Sequence, residues 1–387
     1  MKTDNVKGFR DIGDASKRTA IKKEIETLFQ LYNFKPVETP VIEYEEFVKG
    51  NNENDEAISD IFKLQDKGKR KLALRYEFTF QLKRLAKNKK LPYKRYQIGE
   101  VFRDEPVTGN RWRQFTQCDA DIIGSSIKEE AEILKIIIEI LKKLKIKATI
   151  NLNNRKLLNE ILDSQKIEKE KQQEIIKEID KLDKLSEQEV KENLRKFNAE
   201  KIIEIFKNPE SYFEKYKAYE KIKQLKQFCS LYNIKINFQP SLARGLSYYN
   251  GTIFEVKSEN KLKETIAAGG SYLINNIQST GISFGLDRLE LLTDISPLNK
   301  KILIISLNQD KKAIEVADKI RSLNIPAQIF YGKPTKALDY ANSTNIQKVI
   351  FIGKEEIKQK KLKLKDLNTG KEKLIEIKNL EKELGES

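Results

Sequence analysis

The fold is decided by two neighbouring stretches, Phe102-Arg103-Asp104-Glu105 and Arg111-Trp112-Arg113-Gln114-Phe115-Thr116-Gln117-Cys118-Asp119-Ala120-Asp121. They flank a short turn over 106–110, so the pattern predicts a β-hairpin over about 94–123. Side chains alternate between the two faces of a strand. One face therefore collects the odd-numbered side chains, which are Arg103, Glu105, Arg111, Arg113, Phe115, Gln117, Asp119 and Asp121. The opposite face of the second strand takes Cys118, Ala120 and Ile122.

The chemistry of the odd-numbered face is typical of a binding pocket. Guanidinium groups form paired hydrogen bonds with phosphate, and an aromatic ring can stack on a planar base. Amides and carboxylates hold the polar groups of a small zwitterion. The face therefore indicates a pocket for a triphosphate, a base and a zwitterion. A strand with one solvated face also alternates in charge, and the hairpin alone leaves that alternative open.

Composition narrows the classes of protein that the chain can be. Its 387 residues suffice for two or three domains with a real core. Lys and Arg number 74 against 58 Asp and Glu, and the net charge of +16 favours a polyanion such as nucleic acid. A composition rich in Lys, Ile and Asn throughout explains the excess equally well. With no apolar stretch of about 18 residues and no apolar signal region, we expect a cytoplasmic protein without membrane contact.

The chain contains no histidine and only two cysteines, Cys118 and Cys229. Nucleophilic chemistry of the Ser-His or Cys-His kind is therefore excluded, as is acid–base catalysis by a histidine of the chain. Two distant thiols indicate neither a zinc knuckle nor a disulfide framework. We expect no metal held by dedicated protein ligands, although the substrate can carry one. Positioning and charge stabilisation remain, and they serve phosphoryl and nucleotidyl transfer.

Apolar periodicity predicts the elements around the hairpin. It indicates an amphipathic helix over 14–33, a strand over 34–39, a strand turning into a helix over 72–86, and a helix over 127–143. The stretch 155–228 is dense in Lys, Glu, Gln and Ile and has no glycine, so it predicts several charged helices.

The C-terminal third predicts two further features. Gly281–Leu289 indicates a strand that opens a helix, with Arg288 in the first turn, which is a favourable place for an anion. From residue 301 onward strands and helices alternate, followed by further strands and a terminal helix. That order predicts a small α/β domain.

These pieces, in this order, resemble the class II aminoacyl-tRNA synthetases. The first helix, the strand and Pro40 resemble motif 1, the hairpin resembles motif 2, and Gly281–Leu289 resembles motif 3. The stretch Arg244-Gly245-Leu246-Ser247-Tyr248-Tyr249-Asn250-Gly251-Thr252-Ile253-Phe254-Glu255 is similar to the arginine-glycine-leucine-aspartate-tyrosine-tyrosine element of histidyl-tRNA synthetases. Residues 7–11, 74–79 and 117–121 resemble that family in its archaeal and eukaryotic form.

The resemblance implies an α+β class II catalytic domain over 1–150 and 235–294, built on a six-stranded antiparallel sheet with helices. It also implies a helical insertion domain over 151–234 and a C-terminal α/β anticodon-binding domain over 300–387. The implied activity is ATP-dependent ligation of histidine to tRNA(His) through a histidyl-adenylate. ATP would bind with Mg²⁺, and the protein would be a homodimer.

The resemblance also implies roles for single residues. Arg103 would bridge the α-phosphate, and Arg244 would stabilise charge there in the transition state. The expected ATP-binding residues are Arg103, Glu105, Arg111, Phe115 and Arg288. The expected histidine-binding residues are Glu77, Phe78, Thr79, Gln117, Asp121, Arg244, Tyr248 and Tyr249. Asp121 and the two tyrosines would recognise the imidazole, and a site that pairs with both ring nitrogens rejects amino acids of merely similar size. Arg113 would be a tRNA contact.

The chain departs from the family pattern at three positions. Ser247 replaces an aspartate, and Ser271 and Leu273 replace an arginine and an aspartate. Two alternative functions stay open. One is a regulatory subunit of histidine biosynthesis on the same fold, against which the retained arginines and the C-terminal domain argue. The other is a class II synthetase for glycine, proline or threonine, against which the element beginning at Arg244 argues.

Overall fold

The computed structural model describes residues 3–50, 56–109, 111–244, 248–259, 265–295 and 301–385. The chain divides into two compact units, Met1–Ile295 and Ser296–Ser387. The helices of the first unit are α1 Ser16–Leu31, α2 Glu45–Lys49, α3 Glu56–Ser59, α4 Leu82–Leu85, α5 Ile127–Lys143, α6 Arg155–Ser164, α7 Lys169–Asp180, α8 Glu187–Arg195, α9 Lys201–Ile205, α10 Tyr219–Leu231 and α11 Leu286–Leu292. Its strands are β1 Lys35–Pro36, β2 Ile42–Tyr44, β3 Lys63–Gln65, β4 Lys71–Leu74, β5 Tyr93–Phe102, β6 Gln114–Ile123, β7 Ala148–Asn154, β8 Asn237–Phe238, β9 Tyr249–Ser258, β10 Thr265–Ile274 and β11 Ile277–Gly285.

An eight-stranded sheet frames the first unit, in the order β1-β5-β6-β11-β10-β9-β7-β8. The strands from β5 to β7 in that order all pair antiparallel, which confirms the predicted antiparallel catalytic sheet. The two-residue strands β1 and β8 add at the edges and pair parallel. Strands β2, β4 and β3 form a separate small sheet.

The hairpin of β5 and β6 obeys the predicted alternation. Cys118, Ala120 and Ile122 of β6 are fully buried in the apolar core beneath the sheet. Helix α5 covers that core, and it begins at a capping box in which Ser126 and Glu129 satisfy each other's backbone N–H groups. The observed helix has the bounds that periodicity predicted.

The strand predicted over 34–39 is much shorter, because only Lys35–Pro36 pairs with β5. Proline has no backbone N–H to donate, so Pro36 adds no donor to this pairing. The Val37 N–H still donates to the Tyr96 carbonyl at 2.9 Å, and Pro40 follows three residues later.

The helical segment begins later than the predicted boundary at residue 151. Residues 151–154 belong to β7, where Asn151 to Asn154 pair with Glu255 to Thr252 of β9. Helices then run from Arg155 to Leu231. Ile175 and Phe213 of this segment lie in the same apolar cluster as Phe254 of the sheet. A division into catalytic and insertion domains stays a prediction.

A tight turn joins β10 to β11 and fixes their register. Asn275 and Asn276 both have positive φ, 49° and 65°, as the turns that suit a two-residue hairpin require. That register sets Gly281 of β11 opposite Gly270 of β10, and the separate pairing of β11 with β6 sets Gly281 opposite Asp121.

The second unit is a small α/β fold with helices on both faces of one sheet. The sheet order is β13-β12-β14-β15-β16, and its first three strands are parallel. The elements are β12 Ile302–Ser306, α12 Asp310–Ser322, β13 Ala327–Tyr331, α13 Pro334–Ser343, β14 Lys348–Ile352, α14 Lys354–Lys358, β15 Lys361–Asp366, β16 Glu372–Glu376 and α15 Leu380–Gly385. Helices α12 and α15 pack on one face and α13 on the other. The predicted alternation is confirmed.

Candidate active site

A cavity of about 250 Å³ opens on the face of the large sheet that carries the odd-numbered side chains of β6. All but one of the predicted site residues line it, which are Glu77, Thr79, Arg103, Glu105, Arg111, Phe115, Gln117, Asp121, Arg244, Tyr248, Tyr249 and Arg288. The chain thus brings together side chains that are as much as 211 positions apart, from Glu77 to Arg288.

Phe78 is the exception, because its side chain does not line the cavity, and its contact with the bound amino acid stays a prediction. The ring is fully buried away from the cavity, with the Arg75 guanidinium 4.8 Å from its centroid. Glu77 and Thr79 point into the cavity instead.

One end of the cavity is cationic and aromatic. The Arg103 guanidinium lies 5.2 Å from the centroid of the Phe115 ring, and its Nε donates to the Tyr76 carbonyl at 3.2 Å. Glu105 lies between two arginines, 3.7 Å from Arg103 and 3.4 Å from Arg111. A planar ring beside guanidinium groups suits a base and its phosphates.

Arg288 reaches the same end from the third position of α11. Its Nη1 donates to the Thr265 carbonyl, which holds the guanidinium at the cavity wall. Gly285 precedes the helix and also lines the wall. The predicted strand followed by a helix with its arginine in the first turn is observed.

Asp287, next to Arg288, fastens three separate parts of the chain. It pairs with Arg10 at 2.8 Å and with Arg18 of α1 at 2.9 Å, and it accepts from the backbone N–H of Thr116 at 3.2 Å. Arg10 also lies over the ring of Trp112, 4.5 Å from its centroid. These bonds fix α11, and with it Arg288, against β6 and the beginning of the chain.

Arg244 lines the cavity wall. Its Nη1 donates to Glu255 at 2.5 Å, and its Nε has no hydrogen-bond partner among the described residues. Burial opposes the charged form, but the carboxylate of Glu255 outweighs it, so the pKa of Arg244 lies above its ordinary value. The guanidinium is therefore a permanent cation with a donor left over. Ser247, one of the departures, lies outside the described residues.

The other end of the cavity is acidic and rich in tyrosine. Burial raises the pKa of Glu77 to about 7, although Arg103 and a hydrogen bond from Tyr248 lower it. The Tyr248 hydroxyl donates to Glu77 Oε2 at 3.3 Å. The Tyr248 ring packs 4.7 Å from that of Tyr249 and 5.5 Å from that of Tyr272, centroid to centroid.

Asp121 is held by a buried cation and a phenol. Arg95 of β5 is fully buried, and its Nη2 lies 2.6 Å from Asp121 Oδ2. The Tyr272 hydroxyl donates to Asp121 Oδ1. Burial raises the pKa of Asp121, while Arg95 and Tyr272 act against that rise. Gly281 makes room for the carboxylate, because a Cβ there would lie 2.1 Å from Asp121 Oδ1.

Gln117 bridges to the next strand. Its Nε2 donates to Ser283 Oγ at 2.9 Å, and its Oε1 has no hydrogen-bond partner within the described parts of the chain. The amide is thus fixed in orientation with one acceptor left for a ligand.

Arg113 does not line the cavity, although it belongs to the odd-numbered set. Its Nη2 pairs with Asp104 at 3.0 Å and its stem packs on Gly8. Strand β6 begins only at Gln114, so strand alternation does not apply at residue 113. Trp112 lines the cavity instead.

The other two departures from the family pattern lie outside the cavity. Ser271 is buried against Gly251, where a Cβ would approach its Oγ to 2.5 Å. Leu273 is exposed on β10. Neither side chain lines the wall.

Sequence reasoning missed several residues of the site. Asp119 shared the parity of the hairpin face, so a signal for it existed. Tyr272, Trp112 and Asp287 lay in segments that were recognised but not assigned. No local pattern indicated Arg95, because only the pairing of β5 with β6 sets it opposite Asp121.

Comparison with known proteins identifies the family. A model of histidyl-tRNA synthetase matches residues 8–289, and a model of an anticodon binding domain matches residues 295–387. The chain belongs to the histidyl-tRNA synthetase family.

Relatives and solved structures of this family extend over nearly the whole chain. Histidine–tRNA ligase 1 of Bacillus cereus strain ATCC 14579 is 33% identical, over 99% of this chain and 100% of the relative. Histidine–tRNA ligase 2 of Shouchella clausii is 34% identical, over 95% and 97%. A histidyl-tRNA synthetase structure from Nostoc sp. PCC 7120 matches with a TM-score of 0.86 at 23% identity, covering 100% and 99%, which supports the fold. The archaeal and eukaryotic form is not confirmed by these bacterial relatives.

The described residues show neither a membrane-spanning helix nor a cluster of metal-binding side chains. None of the helices there has both the length and the apolar character to cross a bilayer. Within the same residues, no three His, Cys, Asp or Glu side chains are grouped closely enough to hold a metal ion.

Proposed function

We propose that this chain ligates histidine to tRNA(His) in two steps, first forming histidyl-adenylate from histidine and ATP and then transferring the histidyl group. One observation carries the proposal. A single cavity joins a cationic, aromatic end at Arg103 and Phe115 to an acidic, tyrosine-lined end at Glu77 and Asp121. That pairing suits a nucleotide and an amino acid that must react with each other.

At the nucleotide end, each side chain has a role that its chemistry supports. Phe115 stacks on adenine, Glu105 accepts from the adenine amino group, and Arg288 holds the γ-phosphate. Arg111 holds Glu105 and completes the cationic wall. Phosphates bind forked guanidinium donors well because two parallel hydrogen bonds form at once.

Arg103 and Arg244 stabilise the charge that develops at the α-phosphate. Glu255 already orients Arg244, so little rearrangement is needed when the carboxylate attacks. Preoriented donors in a site shielded from water stabilise such charge more than mobile donors do.

At the amino-acid end, Glu77 and Thr79 accept from the substrate ammonium, and Gln117 fixes its carboxyl group. Asp121, Tyr248 and Tyr249 recognise the imidazole. Because this end of the cavity offers carboxyl acceptors, it disfavours amino acids whose side chains have no hydrogen-bond donor.

Mg²⁺ enters with ATP in this proposal. Phosphate oxygens are its preferred ligands, and Mg²⁺ commonly keeps waters and substrate phosphates rather than an all-protein cage. The described residues fit that arrangement, since Glu105 and Glu77 are engaged by arginine and tyrosine. When bound, the ion would neutralise phosphate charge.

The proposal extends to the tRNA partner, the oligomeric state and the cellular compartment of the protein. The C-terminal unit binds the anticodon stem of tRNA, and residues 151–234 form an insertion domain beside the catalytic domain of 1–150 and 235–294. Arg113 contacts tRNA. The protein is a cytoplasmic homodimer, and the run from Gln117 to Asp121 supports the archaeal and eukaryotic form.

A regulatory role in histidine biosynthesis is the second candidate. A solved Bacillus halodurans structure titled as an ATP phosphoribosyltransferase regulatory subunit/histidyl-tRNA synthetase matches with a TM-score of 0.77 at 20% identity, over 90% of this chain. That likeness concerns the fold. The arginines of the nucleotide end favour the ligase.

The test is ATP–pyrophosphate exchange with the twenty amino acids offered singly. Exchange with histidine alone supports activation and specificity together. Histidine binding without exchange would support the regulatory role, and exchange with another amino acid would contradict the assignment of Asp121 and Tyr249.

A further inference from the structure

The acidic end of the cavity contains one carboxyl group that the proposed function does not use. Glu77, Asp119 and Asp121 all line this end and each is at most 5% exposed. The Tyr248 hydroxyl donates to Glu77 at 3.3 Å. Asp121 has Tyr272 on one oxygen and Arg95 on the other. Two of the three carboxyl groups are therefore engaged.

Asp119 has a hydrogen bond with Ser283 through its carboxyl group. Asp121 Oδ2 also has no hydrogen bond among the described residues, but it lies 2.6 Å from Arg95, whereas no ion pair is seen at Asp119 there. Asp119 Oδ1 has no hydrogen-bond partner in the described ranges 3–50, 56–109, 111–244, 248–259, 265–295 and 301–385. A buried carboxyl oxygen without a donor costs free energy, and folded proteins leave few such atoms. An orphan of this kind on the wall of a cavity indicates that a ligand supplies the donor.

The neighbours of Asp119 leave it electrostatically unbalanced. Strand β5 contributes Arg95, β6 contributes Asp121, β11 contributes Ser283, and the segment after β4 contributes Glu77. Arg95 is the cation among them, and it is paired with Asp121. Burial, followed by the charge of Asp121, raises the pKa of Asp119 to about 8, against the opposing effects of Arg95 and Ser283.

We infer that Asp119 Oδ1 accepts a hydrogen bond from a ring N–H of the bound amino acid, which makes Asp119 a specificity-determining residue. The inference rests on the proposed function, because it takes the ligand at this end to be histidine. Neutral imidazole carries one N–H donor and one acceptor nitrogen, and imidazolium carries two donors. With its raised pKa, the Asp119 carboxyl group is largely protonated at pH 7, but it still offers one carbonyl oxygen as an acceptor. Asp119 thus adds an acceptor beside the engaged oxygens of Asp121.

The arrangement has a selective consequence. A ligand that fills the space but brings no N–H leaves Asp119 Oδ1 unpaired, and an unpaired buried acceptor weakens binding far more than a missing methylene does. A histidine isostere without a ring N–H should therefore be rejected because of Asp119.

The test compares the wild-type protein with Asp119→Ala and Asp119→Asn in ATP–pyrophosphate exchange. We expect Asp119→Ala to raise the KM for histidine at least tenfold while the KM for ATP stays within twofold. Asp119→Asn, which keeps the volume and one acceptor oxygen, should lie between the two. Asp104→Asn is the matched control, since Asp104 pairs with Arg113 outside the cavity and should leave both constants unchanged.

A second substrate sharpens the comparison. β-(Pyrazol-1-yl)alanine resembles histidine in size but has no ring N–H. The ratio of kcat/KM for histidine to that for this analogue should fall at least tenfold in Asp119→Ala. An unchanged ratio, or an equal rise of both KM values, would overturn the inference, because a purely structural role would not alter discrimination.

Failure of the proposed ligase function and failure of the role of Asp119 give different results in these experiments. If the wild type shows no exchange with histidine, the proposed function fails and the inference fails with it. If the wild type exchanges normally and both Asp119 variants match it, only the inference fails. A thermal melt of each variant shows whether it folds, and Asp119→Asn keeps the test decisive if Asp119→Ala does not.

Discussion

Among single residues, Arg244 combines an ion pair with a donor that, among the described residues, is free to bind a ligand on the cavity wall. Its Nη1 is held by Glu255 at 2.5 Å and its Nε is unengaged within the described residues. Arg244→Ala should cut adenylate formation by about two or more orders of magnitude, as loss of one oriented donor to a transition-state oxyanion commonly does. Pyrophosphate exchange measures it.

The control for Arg244 is Arg70→Ala, which removes an exposed arginine paired with Asp66 at 2.6 Å. That variant should exchange normally. Near-normal exchange by Arg244→Ala, with a melting temperature like that of the wild type, would remove the role proposed for Arg244.

Asp121 makes the complementary case at the amino-acid end. Asp121→Asn removes the charge opposite Arg95, whose guanidinium is fully buried. Breaking a buried ion pair costs on the order of 3–5 kcal/mol, so we expect a lower melting temperature as well as a histidine KM raised at least tenfold. The KM for ATP should change little. An unchanged histidine KM in steady-state exchange would count against the assignment.

Among elements, the contact of β11 with β6 determines where Asp121 can lie. Gly281→Ala would place a Cβ 2.1 Å from Asp121 Oδ1 and 2.7 Å from the Tyr272 hydroxyl. Overpacking of this kind costs about 1–3 kcal/mol, so the variant should melt earlier and bind histidine more weakly. Gly13→Ala is the control, because nothing lies within 4 Å of a Cβ there. Equal melting curves for the two variants would contradict the prediction.

The packing of α5 on β9 gives a pH-dependent contribution to stability. Burial raises the pKa of Glu130 to about 7, although the bond from Thr252 Oγ1 lowers it. The folded state then keeps a proton that the unfolded chain releases near pH 4.3, so this group makes stability fall as pH rises from about 4 to about 7. The lost stability amounts to about 3–4 kcal/mol at 1.36 kcal/mol per pKa unit.

Glu130→Gln should abolish that fall, since an amide does not titrate. Melting temperatures of both proteins at pH 5 and pH 8 measure the difference, which should favour the variant at pH 8. Glu139→Gln, on the same helix and bonded to Tyr32, is the matched control. A wild-type pH dependence that persists unchanged in Glu130→Gln would show that other groups cause it.

How far the sequence predicted the fold depends on the range of the interaction. Alternation along β6 placed Gln117 and Asp121 on the cavity face correctly, because it depends only on strand geometry. It failed at Arg113, which precedes the strand, and it does not extend to Phe78, whose ring is buried outside the cavity lining. The pairing of Arg95 with Asp121 depends on register between strands, and no local pattern contains register.

At the scale of the whole molecule, the net charge of +16 predicts how the affinity for tRNA depends on salt concentration. Binding of a polyanion releases condensed counterions, so affinity should fall steeply with salt. Raising salt from 50 to 200 mM should weaken tRNA(His) binding by about tenfold or more, as several phosphate contacts would require. A fluorescence titration at four salt concentrations gives the slope, and a flat response would mean that the excess charge reflects composition alone.

The contacts of Arg10 with the cavity wall have a practical consequence for proteolysis. Arg10 is clamped between Asp287 and the ring of Trp112, and both of these residues form part of the cavity wall. Trypsin can cut after Arg10 only when that clamp opens. Anything that stiffens the wall from inside should therefore slow the cut, so the rate at which a protease clips the chain would register nucleotide occupancy on a gel, without a label or a coupled enzyme.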